Sequence, residues 1–285
     1  EKGIRGIDPV SISEKSTVFL FLLTSLNYFA SMNAIVLITG ATAGIGKACA
    51  EKFAAAGYHL IITGRRKNRL DELVTILETN HGIKVFPLAF DIQKKESVFA
   101  AVNSLPAEWK KINILINNAG LALGRDSFEN ADLDDWDTMM HTNVDGLLYM
   151  SRAVLPYMIE HKKGHIINIG SIAGKEVYEN GNVYCASKLA AVDISKSMRI
   201  DLLKYGIKVT AIHPGAVETE FSLVRYKGDE IKASAAYDGF TPLTPMDIAD
   251  TVYYSASLPA HVCINELIIT CTQQAGTYYF NKNAS

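Results

Sequence analysis

The feature that most constrains the fold is a glycine-rich turn between an apolar run and an alanine-rich segment. The run Ala34–Thr39 is continuous and apolar, which is typical of a strand buried on both faces of a parallel sheet. Gly40, Gly44 and Gly46 follow it, and the residues after them favour a helix. Glycines at such a junction let the backbone approach the pyrophosphate of a dinucleotide at the helix N-terminus. With a second apolar run at 58–63, the pattern predicts a βαβ unit that binds a dinucleotide.

Apolar runs and helical segments alternate along the rest of the chain. The predicted helices lie at about 67–79, 94–104, 132–160, 182–205 and 245–257, and the predicted strands at 84–90, 113–117, 165–169, 208–213 and 266–270. Strict alternation predicts an α/β fold, a doubly wound parallel sheet of the Rossmann type with helices on both faces. No repeat or low-complexity linker divides residues 32–285, so we expect a single domain. Its functional loops should lie beyond the carboxyl ends of the strands.

Composition excludes several classes of function. The chain has 285 residues, of which 48% are hydrophobic and 20% charged, with a formal net charge of −2, as in an ordinary globular protein. The longest basic run, Arg65–Lys67, is too short to indicate a nucleic-acid surface. Cys49, Cys185, Cys263 and Cys271 form no CxxC pair and no metal-ligand spacing, which favours reduced thiols in a cytoplasmic protein without a bound metal.

The first residues have a different character from the domain that follows. An apolar run at 18–29 is too short for a comfortable membrane span and is closer to the core of a signal peptide. Met32 immediately precedes the first predicted strand, so we expect residues 1–31 to be an upstream extension outside the fold. An apolar arm that packs on a partner subunit is the alternative.

The end of the second strand indicates which dinucleotide binds. NAD sites tend to place an acidic residue there, whereas this chain has Arg65 and Arg66 after Gly64. Two guanidinium groups suit the 2′-phosphate of NADP, so the sequence favours NADP over NAD. The alternative is that both arginines form a solvated helix start.

A tyrosine and a lysine four residues apart are candidates for proton transfer. If 182–205 is helical, Tyr184 and Lys188 lie on one face, with an ammonium group beside a phenol. A nearby cation favours the phenolate, so the pKa of Tyr184 is expected to move from about 10 toward neutrality. Tyr184 is therefore a candidate general acid and base. Taken alone, this spacing also fits a half-buried tyrosine beside a solvated lysine.

Several motifs occur together in an order that resembles the short-chain dehydrogenases/reductases. They are Thr39-Gly40-x-x-x-Gly44-Ile45-Gly46, Asn117–Gly120, Asn143, Ser171, Tyr184-x-x-x-Lys188 and Pro214-Gly215. The resemblance covers residues 34–270. The glycine turn, the arginine pair and the resemblance together imply a set of NADP-binding residues. This set is Gly40, Thr42, Gly44, Ile45, Gly46, Arg65, Arg66, Asp91, Ile92, Asn118, Ala119, Gly120, Tyr184, Lys188, Pro214, Gly215, Val217 and Thr219.

The resemblance also implies catalytic roles. Tyr184 would donate or accept the proton, Lys188 would lower the pKa of the phenol and hold the nicotinamide ribose, and Ser171 would bind the substrate oxygen. Asn143 would bend its helix around a water molecule that connects Lys188 to solvent. The competing interpretations are a turn cap for Ser171, a plain polar position for Asn143 and a helix N-cap for Asp91, which the family pattern places beside the adenine.

Longer segments, including Gly181–Tyr184 and Thr219–Asp229, resemble the NADP-dependent 3-hydroxy acid dehydrogenases. Members of that group oxidise serine, allo-threonine or acids of the 3-hydroxypropionate type and reduce malonic semialdehyde. Arg225 lies in the stretch after Pro214, where loops often form lids, and is a candidate partner for the substrate carboxylate together with Ser171 and Tyr184. An exposed lid charge is the alternative for Arg225.

Two other functions share parts of this pattern. A 3-oxoacyl carrier-protein reductase would use the same catalytic residues, but it would want a basic docking surface, which this near-neutral chain does not show. A non-catalytic NADP-sensing protein would not need all of Ser171, Tyr184 and Lys188. The resemblance also implies a homotetramer, in which the helices at about 132–160 and 182–205 form a dimer seam and the last strand and tail help to join dimers.

Overall fold

A single parallel sheet of seven strands organises the protein. The computed structural model describes residues 34–282, so the predicted extension at 1–31 lies outside the described residues. The strands are β1 (Ile35–Ile38), β2 (His59–Gly64), β3 (Val85–Ala89), β4 (Ile112–Asn117), β5 (Gly164–Ile169), β6 (Ile207–Pro214) and β7 (Glu266–Ile269). Each strand overlaps its predicted range. The order of the strands across the sheet is β3-β2-β1-β4-β5-β6-β7.

Helices connect the strands and cover the sheet. They are α1 (Gly44–Ala55), α2 (Lys67–His81), α3 (Lys95–Asn103), α4 (Leu133–Met140), α5 (Gly146–His161), α6 (Asn182–Leu202), α7 (Glu220–Arg225), α8 (Glu230–Ala235) and α9 (Pro245–Ser257). The predicted doubly wound α/β fold is confirmed. Within residues 34–282, no helix combines the length and the apolar character that crossing a membrane requires.

Two large apolar layers, one on each face of the sheet, form most of the core of residues 34–282, and a smaller cluster surrounds Tyr184. In β1, Val36 and Ile38 pack against residues of α1, α2 and α9, whereas Ile35 and Leu37 pack against residues of α3, α5 and α6. Successive side chains of a strand point to opposite faces, so a continuous apolar run fills both layers. This arrangement explains why the predicted strands lack the polar alternation of a half-exposed sheet.

The topology places the site at one edge of the sheet. β1 lies between β2 and β4, and the chain winds outward in opposite directions from this point. The loops after β1 and β4 therefore separate, and a crevice opens at the carboxyl ends of the strands.

Two local features cannot be read from hydrophobic periodicity, although the family resemblance implies a distortion at Asn143. The helix predicted at about 132–160 is interrupted by a π-helical turn, His141–Asp145, between α4 and α5. The stretch after Pro214, predicted as a long loop, contains the two short helices α7 and α8. Neither feature follows from hydrophobic periodicity, because the π turn keeps the apolar pattern and the short helices have too few turns to show one.

Buried polar side chains tie the central strands to the helices beside them. Asn117 at the end of β4 donates from its amide to Ser151 Oγ (2.8 Å) and to Asn168 Oδ1 (2.9 Å). Asn168 on β5 donates in turn to Ser195 Oγ (2.8 Å) on α6. All four side chains are buried, so each depends on its neighbours for hydrogen bonds. The network fixes the carboxyl ends of β4 and β5, from which the active-site loops depart.

Asn168→Ala is expected to lower the free energy of unfolding by about 3 kcal/mol, because it leaves one N–H of the buried Asn117 amide without its acceptor and removes the donor to the buried Ser195 Oγ. The exposed Asn103→Ala at the end of α3 is the matched control and should change stability by less than about 0.5 kcal/mol. Urea unfolding followed by circular dichroism measures both. Equal stability of the two variants would contradict the network's role.

Candidate active site

A cavity of about 760 Å³ opens at the carboxyl edge of the sheet. All but one of the residues predicted to bind the cofactor line it. These are Gly40, Thr42, Gly44, Ile45, Arg65, Arg66, Asp91, Ile92, Asn118, Ala119, Gly120, Tyr184, Lys188, Pro214, Gly215, Val217 and Thr219. Ser171 and Arg225 line the same cavity. The exception is Gly46, which is buried beneath the glycine turn.

The glycine turn provides an anion-binding cradle. Gly40 has φ of 67°, a conformation that side chains rarely adopt, and a Cβ atom on Gly46 would lie 2.3 Å from the Gly40 carbonyl oxygen. The first turn of α1 contains no acidic residue, and no side chain caps its free N–H groups. These N–H groups and the helix dipole favour a phosphate group at the cavity wall. The turn therefore fits the pyrophosphate of a dinucleotide.

Cationic side chains lie at the far end of the cavity, beside β2. Arg66 donates to Thr42 Oγ1 (2.8 Å) and forms an ion pair with Glu220 (3.2 Å), and Arg69 bonds the same carboxylate (2.9 Å). Arg65 also faces the cavity. The sequence did not identify Arg69 and Glu220 as residues of this region, because they are brought here by contacts between α2 and α7. Arg66 is thus connected to the loop of the glycine turn through Thr42 and to α7 through Glu220.

Loops after β3 and β4 complete the cofactor side. Asp91 accepts a hydrogen bond from the Gln93 backbone N–H (3.1 Å). It is not the N-cap of α3, a position that Lys94 occupies, so the N-cap alternative is wrong. Asn118 donates to the carbonyl groups of Thr39 (2.9 Å) and Gly40 (3.2 Å), which fixes the glycine turn against β4.

Tyr184, Lys188 and Ser171 meet at the floor of the cavity. α6 presents Tyr184 and Lys188 on one face, as their spacing predicts, and both are buried. Lys188 Nζ donates to the Ile169 carbonyl (3.1 Å) at the end of β5. Ser171 follows β5 and caps the turn after it by accepting from the Ala173 N–H (3.1 Å), and its hydroxyl group acts to lower the pKa of Tyr184. Ser171 is thus both a turn cap and a cavity group.

The expected shift of Tyr184 toward neutrality is not observed. Burial raises the pKa of Tyr184 well above its usual range, and Tyr178 adds to the rise, whereas Ser171 and Arg225 act in the opposite direction. The sequence prediction was wrong because it considered the nearby cation without the loss of hydration. Burial also lowers the pKa of Lys188, to about 8, since the ammonium group is taken out of water. At neutral pH the pair is therefore a phenol beside an ammonium group.

Asn143 lies in the π turn and connects α4–α5 to the β4 loop. Its amide accepts from the Leu121 N–H (2.8 Å), donates to the Leu121 carbonyl (2.8 Å) and donates to Ser187 Oγ (3.0 Å). The predicted distortion of the helix at Asn143 is confirmed. A Cβ atom on Gly120 would lie 3.2 Å from Asn143 Oδ1 and 3.3 Å from Lys188 Nζ, so these two groups flank the same glycine. Asn143 itself does not line the cavity.

Arg225, at the end of α7, faces Tyr184 across the cavity. Its guanidinium carbon lies 5.5 Å from the centroid of the Tyr184 ring. The guanidinium donates to Tyr178 Oη (2.8 Å) and to the Gly124 carbonyl (3.2 Å), which hold it in place. The alternative of a freely exposed lid charge does not fit these contacts.

Other residues of this wall were not recognised in the sequence. Arg125 and Tyr178 line the cavity, and the tail of the chain crosses it. Thr277 donates to the Glu176 carboxylate (3.1 Å from N to Oε2), and Tyr278 accepts a hydrogen bond from the Glu179 N–H. No local motif marks these residues, because their role arises from contacts between segments about 100 positions apart.

Comparison with known proteins identifies the family. The family model for short chain dehydrogenase matches residues 34–228. The chain belongs to the short-chain dehydrogenase family. Within it, the chain is 48% identical over 232 residues to the NADP-dependent 3-hydroxy acid dehydrogenase of Salmonella typhi, a match that covers 81% of this chain and 92% of that protein. It is 43% identical over 245 residues to sulfoacetaldehyde reductase 2 of Chromohalobacter salexigens, covering 86% and 96%.

Solved structures of this family share the architecture. The closed form of serine dehydrogenase complexed with NADP⁺ is similar to this chain with a TM-score of 0.82 and 44% identity, and the match covers 88% of this chain and 100% of that one. The identification of the family from its motifs is therefore confirmed. The chain is an oxidoreductase of the short-chain dehydrogenase family.

Lys188→Met is expected to raise the free energy of unfolding at pH 7 by about 2 kcal/mol, because it removes the cost of burying a charge and loses one hydrogen bond. The folded-state pKa of Lys188, about 8, lies below the ordinary 10.5, so the folded state holds this proton more weakly than the unfolded chain does. The cost is complete below pH 8 and disappears as the pH rises through 10.5, where both states are neutral.

Thermal unfolding from pH 7 to pH 10 measures this effect. The gain in stability should shrink as the pH rises. Lys196→Met, which changes an exposed lysine on the same helix, is the control and should show almost no gain at any pH. A Lys188→Met variant that is less stable than the wild type at pH 7 would contradict the prediction.

Proposed function

We propose that this protein is an NADP-dependent oxidoreductase that acts on the 3-hydroxyl or 3-oxo carbon of a small hydroxy acid or β-hydroxy amino acid. The observation that carries the proposal is the meeting of Tyr184, Ser171 and Arg225 in one cavity with the glycine turn. A proton donor, a hydroxyl group and a guanidinium group are together suited to a carbonyl next to an acid group. Serine, allo-threonine and 3-hydroxypropionate are the candidate substrates.

The cofactor residues support NADP. The glycine turn and α1 would hold the pyrophosphate, Arg65 and Arg66 the 2′-phosphate, and Asp91 and Ile92 the adenine side. When bound, the cofactor would supply or accept the hydride. Relatives named as NADP-dependent and a structural neighbour complexed with NADP⁺ support the same choice.

The side chains at the cavity floor would control the proton and the substrate oxygen. In the reducing direction, the protonated Tyr184 gives its proton to the forming alkoxide, while Ser171 hydrogen-bonds the same oxygen. The Lys188 ammonium group then favours the phenolate that remains. Asn143 would hold the β4 loop beside Lys188 and support the route by which the proton is replaced. In the oxidising direction the same steps run in reverse.

Arg225 would bind the acid group. Its guanidinium is held beside Tyr184 by Tyr178 and the Gly124 carbonyl, so the substrate's acid group would lie next to the reacting carbon. A sulfonate could occupy the same position, and relatives named sulfoacetaldehyde reductase support sulfoacetaldehyde as a second candidate substrate. A carrier-protein substrate and a pure NADP sensor are weaker alternatives. The first would want a basic docking surface, for which the near-neutral charge of the chain gives no support, and the second would leave the catalytic side chains without a role.

We propose a homotetramer in the cytoplasm. Leu148 on α5, Leu189 and Ile200 on α6 and Ile268 on β7 are large apolar side chains that are at least partly exposed. The helices α5 and α6 are those that the family pattern pairs across a dimer seam, and β7 is the edge strand. The four cysteines are free thiols, which supports a reducing compartment.

Turnover tests the proposal directly. Absorbance of reduced nicotinamide, followed with NADP and each of serine, allo-threonine, 3-hydroxypropionate and 2-hydroxyethanesulfonate, should reveal activity with at least one acid. Tyr184→Phe should reduce that activity about a thousandfold, since it removes the proton donor and little else. Tyr254→Phe, which loses an exposed hydroxyl on α9, is the control. If no acid is oxidised, the proposed substrate class is wrong.

Removal of Arg65 and Arg66 tests the cofactor. The double variant Arg65→Ala/Arg66→Ala should lower kcat/KM for NADP about a hundredfold, because charge-assisted bonds to the 2′-phosphate are lost. Activity with NAD, which lacks that phosphate, should change far less. Arg152→Ala, an exposed arginine on α5, is the control for loss of positive charge. An equal loss of kcat/KM with NADP and with NAD would contradict the assignment of Arg65 and Arg66 to the 2′-phosphate.

A further inference from the structure

The substrate side of the cavity holds a second guanidinium group. Arg125 follows the β4 loop, lines the same cavity as Arg225, and its guanidinium carbon lies 5.9 Å from the centroid of the Tyr178 ring. Arg225 lies 5.5 Å from the same centroid. The Tyr178 ring is thus a shared neighbour of two cationic groups.

Neither guanidinium is neutralised by the protein. Among residues 34–282, no carboxylate lies within ion-pair distance of Arg125 or Arg225. Their hydrogen-bond partners are uncharged: Tyr226 Oη for Arg125 (3.5 Å), and Tyr178 Oη and the Gly124 carbonyl for Arg225. Elsewhere on the surface, Arg66 and Arg69 share Glu220. Two like charges without a counter-ion favour an anionic ligand between or beside them.

The two arginines lie at different distances from the reacting group. Arg225 is in contact with both Tyr184 and Tyr178, whereas Arg125 contacts Tyr178 and Tyr226 but is not within cation–π distance of Tyr184. Arg125 is also exposed, while Arg225 is half-buried. Arg125 is therefore a second cationic group of the same cavity that is available to a substrate whose carbonyl lies at Tyr184 and whose first acid group lies at Arg225.

We propose that Arg125 is a specificity-determining residue that binds a second carboxylate, and that the preferred substrates are 3-hydroxy dicarboxylic acids. This inference rests on the proposed function, since it assumes the hydroxy acid chemistry at Tyr184. One carboxylate pairs with Arg225 beside the reacting carbon, and the other pairs with Arg125 at the outer end of the cavity. A monoacid neutralises one guanidinium, whereas a diacid neutralises both.

Matched pairs of acids test the inference. Each diacid is compared with the monoacid that has a methyl group in place of the outer carboxylate: 3-hydroxyglutarate with 3-hydroxyvalerate, and 3-hydroxyadipate with 3-hydroxyhexanoate. The quantity measured is the ratio of kcat/KM for the diacid to kcat/KM for its monoacid, with NADP and the full chain. We expect Arg125→Met to lower this ratio about fivefold, the size of effect that a partly exposed ion pair supports.

Two further variants separate charge from shape. Arg125→Lys keeps the positive charge and should recover part of the ratio, and Lys163→Met removes an exposed charge at the opposite edge of the sheet and should leave the ratio unchanged. The ratio in the wild type should also fall as salt is added, because an exposed pair is screened.

The outcomes distinguish a failure of this inference from a failure of the proposed function on which it rests. If the acids are turned over and Arg125→Met leaves the ratio unchanged, or lowers kcat/KM equally for both members of each pair, Arg125 does not bind a second carboxylate. If none of the four acids is turned over, and neither serine nor 3-hydroxypropionate is turned over, the result contradicts the proposed function and this inference with it.

Discussion

The structure depends on a parallel sheet that is buried on both faces. Its central strands carry mainly apolar side chains, and many polar side chains gather where the strands end. The parallel direction brings all of these ends to one edge, and the reversal of winding at β1 opens a crevice there. Among the buried polar side chains of these strands, Asn117 and Asn168 are joined by a hydrogen bond. Burial of the strands thus both stabilises the fold and locates the chemistry.

At the cavity floor, burial lowers the stability of the fold instead of raising it, because the buried side chains there are ionisable. Lys188 is held in apolar surroundings with a backbone carbonyl as its hydrogen-bond acceptor, and its pKa falls to about 8. Tyr184 is buried beside it, and its pKa rises. For both side chains, the neutral form is therefore more strongly favoured in the folded protein than it is in water. The protein gives up stability to place these groups where they can exchange protons with a ligand, as functional sites commonly do.

Local patterns in the sequence were sufficient to predict the sheet, its helices and most of the cavity lining. Strand and helix periodicities extend over many residues, and the glycine turn and the Tyr184–Lys188 spacing have a local physical meaning. Contacts between distant segments were not predictable in this way. Arg69 reaches Glu220 across about 150 positions, and Arg125 meets Tyr226 across 101. The pKa of Tyr184 was misjudged for the same reason, because burial depends on the whole fold rather than on the neighbouring residue.

The tail has a consequence for the order in which the protein is made. The segment around Glu176 and Glu179 forms one wall of the cavity, and it is hydrogen-bonded by Thr277 and Tyr278, which lie about 100 positions later in the chain and are synthesised after it. β1 to β6 can pair as they are synthesised, because each new strand joins a neighbour that already exists: β2 pairs with β1, β3 with β2, β4 with β1, β5 with β4 and β6 with β5. The wall, in contrast, acquires these bonds only after residues 277 and 278 have been synthesised. A nascent chain can therefore hold most of the sheet before its ligand cavity is complete.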